Sequence, residues 1–150
     1  MELHDYPPRS MYPCNVVDFP AACFQFKRPF FETATDVYPM CMDLDDYHRR
    51  GCIFGEGHHL STNQFSAITL CDKYRPEIEV TYSKEWRDYL ACLSGVWQIH
   101  HIDKLADFNE LCDQFKGSSA YDLCVSKSAS EGFDSEEHWD WELLEIIETA

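Results

Sequence analysis

The stretch Ser83–Phe115, SKEWRDYLACLSGVWQIHHIDKLADFNELCDQF, carries the densest set of local folding signals in the chain. Ser83 can accept a backbone N–H bond as an N-cap, and Glu85 stands in the first turn, where the helix dipole favours negative charge. Trp86, Tyr89, Leu90 and Leu93 follow at the i, i+3, i+4, i+7 spacing of one buried helical face. Gly95 can take the left-handed conformation that ends a helix. The run Val96–Ile102 is short, β-branched and aromatic, which is strand composition. Asp103 is a second N-cap candidate, and Leu105, Phe108, Leu111, Cys112 and Phe115 trace a further apolar face that Gly117 closes. The stretch therefore predicts helix, strand, helix. It predicts scaffold rather than site, because His100 and His101 would point to opposite faces of a strand.

Upstream, Met1–Pro20 holds four prolines, two of them adjacent, which excludes one regular helix across it. Tyr6, Met11, Tyr12, Val16, Val17 and Phe19 suggest an extended arm lying on the body. Ala22–Phe26 reads as a strand, and Pro39 interrupts the segment Asp36–Asp46. Asp43, Asp45 and Asp46 lack the glycine and glutamate of a calcium-binding loop, so they read as a solvated turn. His48–His59, HRRGCIFGEGHH, is the most loop-like segment. Gln64–Cys71 and the alternating Glu77–Tyr82 read as a hairpin with one wet face. Downstream, Ala120–Val125 reads as another strand. The expectation is an α+β fold: one domain with a small, mostly antiparallel sheet packed with two to three helices. Residues 1–126 form the core domain, with 1–20 as its arm. Residues 127–134 form a serine-rich linker, and 135–150 an acidic amphipathic helix.

The chain has 150 residues, 45% of them hydrophobic and 15% aromatic, which is too apolar for disorder and long enough for a sizeable core. It shows neither an apolar run of membrane-spanning length nor a signal-peptide pattern, so the expected location is intracellular and soluble, in cytoplasm or nucleus. That location favours reduced thiols for Cys14, Cys23, Cys41, Cys52, Cys71, Cys92, Cys112 and Cys124. A formal net charge of −15 argues against direct nucleic-acid or anionic-membrane binding. More than half of it comes from 131–150, which holds eight acids and no Lys or Arg.

Three constellations could carry function. Cys41, Cys52, His58 and His59 could converge on zinc, although no Cys-x-x-Cys pair is present. Cys52, flanked by Gly51 and Gly55 and near His48, His58 and His59, could be a nucleophile; sequence proximity gives neither the base nor the oxyanion donor that this chemistry needs. The third is the tail. On a helix, Trp139, Leu143, Ile146 and Ile147 form one stripe, Leu144 widens it and Trp141 lies off it. Glu136, Glu137 and Asp140 supply charge around it, and Glu145 and Glu148 sit in the last turn against the dipole. Such a helix needs an apolar groove with a basic rim. Its own core near Lys27–Arg28 or Arg49–Arg50 is the plain solution, and a protein partner is the functional one.

The functional expectation is therefore a non-enzymatic protein-binding regulator, an accessory or antagonist protein of the kind viruses encode, without a cofactor. The alternatives are a zinc-stabilised or cysteine-dependent domain centred on Cys52–His59, and an acidic mimic of nucleic acid that fills a partner's basic cleft.

Overall fold

The computed structural model describes residues 11–24, 26–33, 37–60, 69–78, 80, 83–103 and 112–128. Every regular element among them is helical, and none is a strand. The elements are α1 (Pro20–Phe24), α2 (Arg28–Thr33), α3 (Val37–Met42), α4 (Asp46–Leu60), a 3-10 turn (Asp72–Tyr74), α5 (Lys84–Asp103) and α6 (Ser119–Ser128). The α+β expectation, with its antiparallel sheet, is overturned.

Each misread element has a physical reason. Ser83 caps α5 as expected, its Oγ accepting the Trp86 N–H at 3.1 Å. The helix does not stop at Gly95, however, but runs on to Asp103. The periodicity continues through the glycine, since Trp86, Leu90, Leu93 and Trp97 are all buried along one face. A Cβ at Gly95 would run into the Phe54 carbonyl, so the residue marks where α4 crosses α5, not where α5 ends.

The prolines mislead in the same way. Pro20 begins α1, and Pro29 and Pro39 lie in the first turns of α2 and α3. There a missing N–H removes no helical hydrogen bond. Ala22–Phe24, expected as strand, is α1, and Ala120–Val125 is part of α6. Glu77, Ile78 and Val80 form no ladder, and Ile78 is 74% exposed. Residues 64–68, 79, 81–82, 104–111 and 129–150 lie outside the described set. That set therefore excludes most of the expected hairpin, most of the second helix, and the tail.

The centre of the molecule is α4, the segment that reads as a loop. Gly51–Gly57 is buried throughout. α4 makes its most extensive packing with α5, and α1, α2 and α3 also pack on it. Three glycines let neighbours approach this closely. A Cβ at Gly51 would lie 2.6 Å from the Pro20 Cβ, one at Gly55 would meet Phe31 and Phe24, and one at Gly57 would meet the Cys92 carbonyl. Phe24, Phe30 and Phe31 fill the α1–α2 side, with the Phe30 and Phe31 rings edge to face at 4.9 Å.

All eight cysteines are oxidised, in consecutive pairs: Cys14–Cys23, Cys41–Cys52, Cys71–Cys92 and Cys112–Cys124. The expectation of free core thiols is overturned too. The bridges join the arm to α1, α3 to α4, the segment before the 3-10 turn to α5, and the 112–118 segment to α6. The expected burial is correct for Cys92 and Cys112, which are both fully buried, but each is buried as half a disulfide. The arm over 11–19 is a series of turns, pinned by its bridge.

Candidate functional site

A helix buried at the centre of a domain must have its polar side chains answered by its neighbours, because an unpaired buried charge is expensive. α4 carries two such residues on different faces. Arg49 donates from Nε to both oxygens of Asp88 on α5, at 3.2 and 3.0 Å, and from Nη2 to Asp88 Oδ1 at 2.9 Å. Its Nη1 reaches Asp46 at 2.6 Å. Arg50 adds a third cationic side chain–carboxylate link to the network through Nε and Asp88 Oδ1 at 3.2 Å. Burial disfavours the Arg49 charge, but bonding to Asp88 and Asp46 outweighs it, and the guanidinium pKa is raised. Glu56, on another face, accepts from the Tyr74 hydroxyl at 2.8 Å and from Lys73 Nζ at 2.7 Å. The carboxylate thus fixes the 3-10 turn that Cys71–Cys92 already ties to α5.

At the start of α4, His48 lies between Asp45 and the arm. Its Nδ1 is 2.8 and 3.0 Å from the two Asp45 oxygens, and its Nε2 is 2.8 Å from the Val17 carbonyl. Beside it, the Tyr47 hydroxyl donates to the Asp18 carbonyl at 2.8 Å. At the other end of α4, His58 stacks on Phe54, and His59 packs against Phe31 with Nε2 3.0 Å from the Phe24 carbonyl.

A small open cleft of about 90 Å³ is lined by Arg75, Tyr89, Gln114, Phe115, Lys116 and Ser118. Gln114 Oε1 is buried there without a hydrogen-bond partner, and Lys116 on the rim already leans on Asp113 at 3.4 Å. Such walls suit a small polar group rather than an apolar side chain.

The structure brings together only part of the sequence-based site. Cys41 and Cys52 are bonded to each other, so neither offers a thiolate to zinc or to a substrate. His58 and His59 sit nearly two turns further along α4, and among the described residues no group of three or more His, Cys, Asp or Glu side chains could hold a metal ion. Glu136, Glu137, Trp139, Asp140, Trp141, Leu143, Leu144, Ile146 and Ile147 fall outside the described residues. Arg49–Arg50, suggested as a docking rim for that tail, is engaged with Asp88 and Asp46. Sequence reasoning missed Asp88, Glu56 and His48 as organising groups. The i, i+3 spacing of Asp45 and His48 was the one local signal available for any of them.

No protein-family model matches the chain, and neither curated proteins nor solved structures give a match. Among the described residues, no helix is long and apolar enough to cross a membrane.

Proposed function

We propose that the chain is a disulfide-stapled helical binding protein, an accessory or antagonist that engages another protein through its acidic aromatic segment 131–150. The observation that carries this reading is a division of labour along the sequence. In the body, the cysteines are bridged in pairs, Arg49 is paired with Asp88 and Glu56 with Lys73, and these contacts hold the fold. The tail concentrates eight acids, Trp139, Trp141 and an apolar stripe with no Lys or Arg. A rigid body presenting such a segment suits helix-in-groove recognition, with Trp139 and Leu143 as anchors and the acids meeting a basic rim.

The four bridges also bear on where the protein acts. Stable disulfides of this density belong to oxidising compartments, so the reading favours the secretory route or the outside of a cell over cytoplasm or nucleus. The test compares the full chain with a version lacking 131–150, both made under oxidising conditions, on an array of secreted and cell-surface ectodomains. Saturable binding to a defined ectodomain, lost on truncation while the thermal midpoint and disulfide pairing persist, is the expected result. Binding unchanged by truncation, or a truncated chain that unfolds, overturns the reading, the second outcome making the tail part of the core. Strong salt sensitivity with indifference to Trp139→Ala and Leu143→Ala would favour the nucleic-acid mimic instead.

A further inference from the structure

The ring of His48 makes two contacts, and both partners are acceptors. The Asp45 carboxylate faces Nδ1 at 2.8 Å, and the Val17 carbonyl faces Nε2 at 2.8 Å. A neutral imidazole carries one N–H and one lone pair, so it can satisfy only one of them; the other contact would set a lone pair against an oxygen. With Asp45 ionised, only the imidazolium form satisfies both contacts. We propose that His48 is a proton-operated clasp, holding arm residues 15–19 against the start of α4 when protonated and releasing them when the proton leaves.

Residues 15–19 lie between two fixed points: Cys14, buried and bridged to Cys23, and α1, whose Pro20 and Ala21 are buried against α4. Between them, Val16 is 62% exposed and Phe19 is 49% exposed, so little apolar burial opposes movement of this short segment. His48 holds it at Val17, and the neighbouring Tyr47 hydroxyl holds it at the Asp18 carbonyl.

The charged and titratable groups facing the ring agree in sign. Asp45 comes from the turn before α4, Asp18 from the arm, and the Tyr47 ring stands edge-on at 5.6 Å. Partial burial disfavours the cation, but the Asp45 bond, the Val17 carbonyl and the charges of Asp45 and Asp18 outweigh it, and the pKa is raised above the usual histidine value. Bonding to His48 in turn holds the Asp45 carboxyl below its ordinary value, against a smaller opposing effect of burial. A raised folded-state pKa gives a contribution that is complete below the ordinary histidine value and lost as pH rises through the raised one. The depressed Asp45 gives the acid limit, below which the carboxylate is protonated and the clasp loses its partner. The clasp is closed between these limits.

The test is made on the full oxidised chain. The His48 ring is followed by NMR through a pH titration, and deuterium uptake of the 15–19 segment is measured by mass spectrometry with correction for intrinsic exchange. His48 should titrate above about 6.5, the unperturbed value, with both ring nitrogens protonated below its transition. The corrected exchange rate of the segment should rise at least about fivefold across that transition, and His48→Gln should remove the pH dependence. A ring that titrates at or below the ordinary value, exchange that ignores the transition, or a His48→Gln chain with the wild-type profile would each overturn the proposal. The wild-type titration decides the matter even if the variant folds poorly.

Discussion

At the scale of single residues, Asp88 is a buried carboxylate that accepts from both Arg49 and Arg50. Replacing it with alanine leaves the buried Arg49 guanidinium with only the exposed Asp46 as partner. Breaking a buried pair from one side typically costs about 3–5 kcal/mol, because the remaining charge is stranded. We expect Asp88→Ala to lose a free energy of that order in denaturant unfolding. Arg50→Ala should lose about 1.5 kcal/mol, since it removes one charged hydrogen bond from a side chain that still reaches solvent. Equal losses would mean that Arg49 does not depend on Asp88. Asp88 could not be read as organising from the sequence, because on a helix of known face it looks like a polar interruption between Trp86 and Tyr89. Its partner lies 39 positions away.

At the scale of elements, α4 and α5 cross so closely that Gly57 lies against the Cys92 carbonyl and Gly95 against the Phe54 carbonyl. Alanine at Gly95 would gain about 1 kcal/mol of helix propensity. The clash is with helix backbone, which cannot swing aside as a flexible side chain can, and overpacking of this kind costs about 1–3 kcal/mol or more. The clash should win. Gly95→Ala is expected to lower the thermal midpoint by several degrees, at about 2–4 °C per kcal/mol for a chain of this size, and a rise would contradict the crossing. Glycines also explain why α4 was not legible. Gly51, Gly55 and Gly57 within fifteen residues make a poor helix by propensity, and only tertiary packing makes the segment helical. α5 was half legible: its cap and apolar face stand in the sequence as they stand in the fold. Its continuation past Gly95 depended on a neighbour that no local signal reveals.

At the scale of the whole molecule, the core centres on α4 and α5, and the disulfides tie down the shorter elements around them. The bridged residues are separated by 9, 11, 21 and 12 positions. Loops of this length give about 3 kcal/mol per bridge by the chain-entropy estimate. Two such bridges already equal the low end of a domain's net stability, about 5 kcal/mol, so the oxidised state is integral to the fold. The sequence hid this because the cysteines are evenly spread, a pattern that singles out no pairing. Burial of Cys92 and Cys112 on apolar faces was read correctly, and the pairing could not follow from it. The α+β expectation failed at the same scale, because short β-branched or aromatic runs such as Val96–Ile102 fit a strand or a buried helix equally well.

Disulfide mapping is therefore the most direct test of this architecture. The chain, expressed under oxidising conditions, is alkylated and digested without reduction, and its cross-linked peptides are identified by mass spectrometry. The fold predicts Cys14–Cys23, Cys41–Cys52, Cys71–Cys92 and Cys112–Cys124, with no alkylated thiol. A free Cys41 or Cys52, or any bridge joining non-consecutive cysteines, would contradict it.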